Sequence, residues 1–378
     1  MKLGYIAGTL IPSGSASSAH AMHMAEAIAK QGVAVTLYAK TGAKGRINPY
    51  AAYGVSPLFR LLRAPFGRVR LISGLARLPM TLLHGRFRAH VDTWYGRDAM
   101  GLWLAAVLLN KPVFFEAHSL PQSLSRHRLW ARLMQHRNCR GVVVPTQALR
   151  DDLMQTFPFL AHKPMLVAPD AASPVSPAAQ ALPIPEWMGR QGHLQIGYTG
   201  SVNEGQGVDV IIALAQRLPE VDFHLIGGTR RELEETQKRA HAPNLHLHGQ
   251  VPHALIPAYL ARFHAVLAPY VSQTGAGHGT DPSRWLSPLK LFEYMAAGKA
   301  IICSDLPVLR EVLGHTHNAL LIAPDNPSAW VDAIAYLQKN PDRLAQLGQA
   351  AWQDFNDYYT WDRRATRILA FVQDHAAS

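Results

Sequence analysis

The chain has 378 residues, 48% of them hydrophobic and 17% charged, which describes a globular protein of two ordinary domains and excludes a disordered one. Its two cysteines, Cys139 and Cys303, both lie in apolar surroundings; they cannot build a disulfide framework and fit a reducing compartment. The net charge of +11 is uneven: residues 1–190 hold 22 Lys and Arg against 8 Asp and Glu, and residues 191–378 hold 15 against 18. So basic an N-terminal half should attract an anionic partner, such as a membrane, a polyanionic acceptor or nucleic acid.

Met1 to Lys40 reads as strand, loop, helix, strand. Lys2 to Gly8 is a strand, Pro12 to Ser18 a small-residue loop, Ala19 to Lys30 a helix stopped by Gly32, and Val33 to Tyr38 the next strand. That is a βαβ unit, which implies a parallel sheet. The opening apolar run breaks at Pro12-Ser13-Gly14, so it reads as a strand and not as a signal peptide. No apolar run is long enough to span a bilayer. Around Gly14, the Ser13-Gly-Ser15 loop could let backbone N–H groups approach a phosphate, although the G-x-G-x-x-G dinucleotide spacing is absent. An ordinary Ser/Gly loop is the competing reading.

Residues 56–91 carry Arg60, Arg63, Arg68, Arg70, Arg77, Arg86 and Arg88 with no Asp or Glu, interleaved with Leu and Phe. Pro65 and Pro79 cut the run into short pieces. This is the composition of basic amphipathic helices on an anionic membrane surface, or of domain helices whose Arg side chains are solvated. A second basic stretch runs from Arg126 to Arg140. Between them, Val91 to Tyr95 leads to an apolar helix from Ala99 to Leu109. Pro112 to His118 is a strand with a polar carboxyl end. Ligands of open parallel sheets bind off the carboxyl ends of strands, which singles out His118. Gly141 to Val144, the helix Gln147 to Thr156 and the strand Pro164 to Ala168 complete this half. Residues 169–192 contain five prolines and read as a linker.

A second set of α/β units follows. The strand Leu194 to Gly200 is succeeded by helix 208–217, strand 221–226, helix 229–239, strand 245–248, helix 256–261 and strand 265–268. After Pro269-Tyr270 comes a glycine-rich loop, Gly275 to Asp281, whose backbone could reach a sugar or phosphate; a flexible surface loop is the alternative. The most informative stretch is Ser287-Pro-Leu-Lys290-Leu-Phe-Glu293-Tyr-Met-Ala-Ala-Gly298, then Ala300-Ile-Ile-Cys303. Pro288 suits the first turn of a helix, the apolar residues recur at helical spacing, Gly298 stops the helix and a buried strand follows. Lys290 and Glu293 lie three apart near the helix start. There the free N–H groups attract an anion, Lys290 adds a point charge and Glu293 an acceptor for hydroxyls. Phosphate plus sugar hydroxyls is a description of a nucleotide sugar; a surface Lys–Glu pair is the bland alternative. Strand 318–322, helices 328–339 and 341–355 and a last helix from Trp361 to Asp374 end the chain. There is no Asp-x-Asp triplet and no His/Cys cluster at metal spacing; His246 and His248 merely alternate on a strand. These patterns give two α/β domains. They leave open GT-B-like transferases, two-domain dehydrogenases and periplasmic-type binding proteins, and the last two lack their fingerprint and their secretion signal.

The string from Ser287 to Ile301 resembles the donor-binding helix of family 4 retaining glycosyltransferases, the group 1 glycosyl transferases. Gly200 to Asp209, Asn318 to Pro327, Tyr359-Thr-Trp361, Glu116-Ala-His118 and Ser18-Ala-His20 resemble further motifs of that family. The resemblance implies an α/β GT-B fold: two Rossmann-like parallel-sheet domains facing each other across a cleft. Residues 1–168 would form the acceptor domain, 169–192 the linker and 193–360 the donor domain, with helix 361–378 crossing back. It implies a retaining, metal-independent enzyme, without cofactor, that moves a sugar from a UDP- or GDP-sugar to a saccharide or lipid-linked acceptor. Such an enzyme would work in the cytoplasm, at the inner face of an anionic membrane, and would not bind nucleic acid. By resemblance Lys290, Glu293 and His118 form the catalytic centre, with Glu293 on the donor ribose. Gly14, Gly200, Ser201, Gln206, Tyr270, Arg284, Ser287 and Leu291 would line the donor. The patch of Arg60, Arg63, Arg68, Arg70 and Arg77 is assigned to membrane or acceptor. Three places depart from the family: Ser201 and Gln206 stand where an Arg and a Lys usually hold the diphosphate, and Trp285 replaces the first Glu of a Glu-x7-Glu pair. The lost positive charge has to be replaced, with Lys290 and Arg284 as candidates. A nucleotide-sugar epimerase of the same fold, or a catalytically decayed nucleotide-sugar-binding protein, are the alternative functions.

Overall fold

The computed structural model describes residues 1–42, 48–64, 78–202, 206–271 and 282–376. The chain forms two compact units, Met1–Asp170 with Trp361–Ser378, and Ala171–Thr360. Arg68, Arg70, Arg77 and the loop Gly275 to Asp281 lie outside the described residues.

The first unit is built on a seven-stranded parallel sheet in the order β3-β2-β1-β4-β5-β6-β7. The strands are β1 (Lys2–Ile11), β2 (Ala34–Thr41), β3 (Arg60–Ala64), β4 (Thr93–Gly96), β5 (Val113–Glu116), β6 (Cys139–Val144) and β7 (Met165–Val167). Every residue of β4 and β5 is buried, as expected of strands covered on both faces. The helices of this unit include α1 (Ala16–Lys30), α2 (Pro49–Tyr53), α3 (Ala99–Leu108), α4 (Leu124–Gln135) and α5 (Gln147–Thr156). Ser15 caps α1 by accepting from the Ser18 N–H. The C-terminal helix Trp361–Ala376 belongs to this unit and packs on α1 and β6. Its buried residues are Trp361, Arg364, Ala365, Ile368, Leu369 and Val372, an apolar stripe at helical spacing with one arginine in it.

One sequence expectation is corrected here. Arg60 and Arg63 are not on an amphipathic helix. They lie on β3, the edge strand, paired in parallel with β2. Three residues apart on a strand, they point to opposite faces of the sheet and cannot form one basic stripe.

The second unit is a six-stranded parallel sheet in the order β10-β9-β8-β11-β12-β13. Its strands are β8 (Leu194–Thr199), β9 (Val221–Ile226), β10 (Leu245–Gly249), β11 (Ala265–Ala268), β12 (Ala300–Ser304) and β13 (Ala319–Ile322). The helices continue as α6 (Pro177–Gln180), α7 (Val208–Arg217), α8 (Arg230–Arg239), α9 (Ile256–Arg262), α10 (Leu289–Ala296), α11 (Pro327–Lys339) and α12 (Pro341–Tyr358), so the C-terminal helix is α13. Ile196, Phe223, Leu267, Ile302, Trp330 and Ile334 lie at the centre of its core. The proline-rich residues after 170 are carried on this unit: Trp187 stacks on His224, with centroids 4.4 Å apart, and Arg190 pairs with Asp222. The strand order reverses between β8 and β11, so the chain leaves these neighbours in opposite directions. At such switch points open parallel sheets leave a crevice at the strands' carboxyl ends.

Candidate active site

In the second unit the switch point gathers Gly200, Tyr270 and Lys290. Gly200 and Tyr270 follow β8 and β11, and Lys290 lies in the first turn of α10. Pro288 is the N-cap of α10 and no side chain caps that end, so its first N–H groups keep their positive potential. Lys290 is half-buried. Its Nζ donates to the Tyr198 hydroxyl at 2.9 Å and lies 4.1 Å from the Tyr198 ring centroid and 5.4 Å from that of Tyr270. The Tyr198 hydroxyl in turn donates to the Ser201 carbonyl at 2.7 Å, which fixes the start of the loop. Burial lowers the Lys290 pKa to about 7, with Glu293 acting the other way.

Gly200 is required here on two counts. Its φ is +138°, and a Cβ would stand 2.7 Å from Lys290 Nζ. Tyr294 anchors α10 to the strand end: its hydroxyl accepts the Thr199 N–H at 2.8 Å. Tyr270 is buried, and its hydroxyl has no hydrogen-bond partner among the described residues. Glu293, on the next turn, pairs with His253, whose Nε2 lies 2.9 Å from Glu293 Oε1. That bond raises the His253 pKa against the effect of burial.

The other assigned donor residues are placed less alike. Ser201 is exposed, and Gln206 is half-buried just before α7. Leu291 is buried on α10, facing the core. Ser287 is half-buried ahead of α10, and Arg284 is exposed on the short turn Pro282–Trp285. Trp285, where the family resemblance would have a Glu, is 4% exposed. Gly14 is in the first unit, exposed in the loop before α1. The hydroxyls beside it are occupied locally: Ser13 Oγ donates to Ser18 Oγ at 3.0 Å, and Ser15 caps α1.

In the first unit, His118 follows β5 at the edge of a buried ionic cluster. Glu116 Oε1 accepts from Arg364 Nη2 at 2.6 Å and lies 2.9 Å from His118 Nε2 and 3.2 Å from His20 Nε2. Glu116 Oε2 accepts the Tyr95 hydroxyl at 2.6 Å. His20 Nδ1 is 2.9 Å from Asp170 Oδ1. Burial alone would raise the Glu116 pKa; Arg364, then His20, hold it well below the usual carboxylate range. Burial, then Arg97, pushes His118 down to about 4, against the pull of Glu116, so the ring is neutral near pH 7.

Several of these residues were not singled out from the sequence. Arg364 left a signal, a lone arginine on the apolar stripe of the last helix. Tyr198, His253 and Asp170 left none, since only the fold brings them to Lys290, Glu293 and His20. Spacing also hid two groups of possible metal ligands that the fold assembles: His20, Glu116 and His118, and Asp222, His224 and His246. In the first, Arg364 already occupies the shared carboxylate oxygen. In the second, Asp222 is bound by Arg190 and Gln195, and both ring nitrogens of His224 meet neighbours, Gln195 Oε1 at 2.7 Å and His248 Nε2 at 2.9 Å. A cation would have to displace these partners.

Comparison with known proteins agrees with this architecture. Residues 193–340 match the glycosyl transferases group 1, and residues 17–169 match glycosyltransferase family 4. The chain is 36% identical to the O-antigen chain mannosyltransferase RfbU of Salmonella typhimurium over 66 residues, which is 17% of this chain and 18% of the relative's length. Among solved structures, the sucrose-phosphate synthase of Thermosynechococcus elongatus superposes with a TM-score of 0.74 at 17% identity, covering 100% of both chains. HepE of Anabaena, in complex with UDP, superposes with a TM-score of 0.72 at 14% identity, covering 99% of this chain and 100% of its own. At such identities the superpositions show the fold, while the two family matches carry the kinship. The chain has the GT-B fold, with its first unit related to glycosyltransferase family 4 and its second to the glycosyl transferases group 1.

Proposed function

We propose that the protein is a retaining, metal-independent glycosyltransferase that takes its sugar from a UDP- or GDP-sugar. The observation that carries this is Lys290, a half-buried cation at the uncapped start of α10, held by a neutral phenol at the switch point of the sheet. A diphosphate placed there meets the helix N-terminus and the Lys290 ammonium together. As the bond to the sugar breaks, negative charge grows on the leaving diphosphate, and the fixed cation stabilises it. Lys290 thereby takes over the charge that Ser201 and Gln206 cannot supply. Glu293 accepts from the donor ribose hydroxyls, exchanging its bond to His253 for them. On the first unit, His118 meets the sugar or the acceptor. That HepE was solved with UDP supports a nucleotide as ligand.

The acceptor is a saccharide or a lipid-linked saccharide of a cell-surface polysaccharide or glycolipid. The name of the Salmonella relative, an O-antigen chain mannosyltransferase, supports that class. So does the surface of the first unit, where Met80, Leu83, Phe87 and Leu124 are exposed near Arg86, Arg88, Arg126 and Arg128 in the sequence. Exposed apolar side chains with basic residues suit an anionic membrane face. No described helix is long and apolar enough to cross a membrane. Thermal-shift measurements with UDP, GDP and their sugars test the donor: a ligand at about 100 times its Kd raises stability by about 2.7 kcal/mol. A flat response to all of them refutes the proposal. Flotation with anionic liposomes at low and high salt tests the membrane face, and no binding at low salt removes it.

A further inference from the structure

The first unit spends an unusual amount of buried charge on one histidine. Glu116 is fully buried and Arg364 is 2% exposed, whereas the His118 side chain is 21% exposed. A buried carboxylate cannot stay ionised alone, and a guanidinium does not give up its proton. Arg364 Nε donates to the Pro169 carbonyl at 2.9 Å and Nη2 also reaches the Ala168 carbonyl at 3.3 Å, so the guanidinium is fixed from behind. An ionised Glu116 can only accept hydrogen bonds. His118 must therefore carry its proton on Nε2, the nitrogen that faces Glu116, and keep its lone pair on Nδ1. The His20 ring, edge-on to His118 with centroids 5.3 Å apart, packs beside it.

We propose that Arg364, on the C-terminal helix, is a positioning residue for His118: through the ionised Glu116 carboxylate it sets the tautomer and the orientation of the His118 ring. The inference rests on the reading that His118 serves sugar transfer. It gives the apolar stripe of α13 a reason to contain an arginine. It also makes the last helix part of the machinery that presents Nδ1 of His118 to the reacting groups. A general base or hydrogen-bonding group in the wrong tautomer is ineffective even when its position is right.

The test uses the full chain labelled with ¹⁵N-histidine, with the His118 signals identified by their absence from His118→Ala. The unmodified protein should show His118 protonated on Nε2 near neutral pH. In the charge-neutral double variant Glu116→Gln with Arg364→Met, the tautomers should mix, and kcat for sugar transfer should fall by about 10²-fold while the donor KM is unchanged. Arg364→Lys keeps the charge and should restore the Nε2 tautomer and much of kcat. A double variant that melts cooperatively and keeps both the tautomer and kcat overturns the proposal and makes Arg364 a structural staple. An unmodified protein with His118 protonated on Nδ1 overturns it with no variant at all. Wild-type transfer by His118→Ala overturns the role of His118 itself, a separate result from the first two.

Discussion

The two units place charge at their strand ends in opposite ways. The first holds 24 Lys and Arg against 9 Asp and Glu, and the second 13 against 17. Yet the basic unit encloses a cluster in which carboxylates, imidazoles and a guanidinium lie within 3.2 Å of one another, while the acidic unit sets a single lysine among tyrosines. Glu116 lies within 3.2 Å of four polar side chains, Tyr95 among them. Lys290 meets a phenol and two aromatic rings. A saturated cluster orients its members; a cation with neutral neighbours stays available to an incoming anion. Net charge of a unit says little about either arrangement.

The largest effect should come from breaking the saturated cluster. Arg364→Met leaves Glu116 buried without its guanidinium, and removing one partner of a buried pair costs about 3–5 kcal/mol. Urea unfolding should show that loss, with the pH dependence inverted. In the unmodified protein the folded Glu116 pKa lies well below its ordinary 4.5. Its contribution is therefore fully present above about pH 4.5 and fades as pH falls through the folded value. Without Arg364, burial dominates and raises the folded pKa above the ordinary value, so the penalty appears as pH rises through it. Equal stability of variant and parent at pH 7 contradicts the contrast between the units.

The next largest effect belongs to Lys290. Lys290→Ala should weaken UDP or GDP binding and slow transfer by about 10²–10³-fold, the usual scale for losing one group that stabilises transition-state charge. With its pKa lowered to about 7, Lys290 binds a diphosphate best when protonated. Affinity should therefore decline as pH rises past about 7, and Lys290→Arg, whose charge does not titrate, should flatten the profile. Calorimetry across that range decides the point. Affinity indifferent to Lys290→Ala removes the site.

Smaller again is Gly200→Ala. Lysine is flexible, so its Nζ can withdraw from the new methyl group; the φ of +138° cannot be relieved so easily. Backbone strain of this kind costs about 1–3 kcal/mol, readable as a lower Tm. The displaced Lys290 should bring a loss of nucleotide affinity smaller than that of Lys290→Ala. A variant that melts normally and binds normally shows that the close approach of loop and lysine has no importance.

Much of this was legible in the residues, and the exceptions share a cause. The helix and strand around Lys290 could be read locally, because Pro288, the apolar spacing and Gly298 are all local signals. So could the parallel sheets, from alternating strands and helices. Arg60-Leu-Leu-Arg63 misled for the same reason: arginines three apart with leucines between them fit one face of a helix, and only pairing with β2 makes them an edge strand. The partners of Lys290, Glu293 and Glu116 are distant in sequence. Tyr198 lies 92 residues from Lys290, and Arg364 lies 248 from Glu116. Side chains that meet only through topology leave no spacing to find. Arg364 alone betrayed itself, as a charge on a face that had to be buried.

The smallest effect sharpens the comparison within the second unit. The His253 side chain is 57% exposed, so its bond to Glu293 is screened by water and worth about 0.2–1 kcal/mol. The pairing raises the His253 pKa, so its contribution is fully present below about pH 6.5 and is lost as pH rises through the raised value. Removing it with His253→Ala should change stability by less than about 1 kcal/mol. The two residues should nevertheless differ toward a nucleotide. If Glu293 receives the ribose hydroxyls, Glu293→Gln should blunt discrimination between UDP and its dideoxyribose analogue, whereas His253→Ala should keep it, because the carboxylate stays. Discrimination unchanged by Glu293→Gln would leave Glu293 as no more than the partner of His253, and Lys290 as the proposed donor contact on α10.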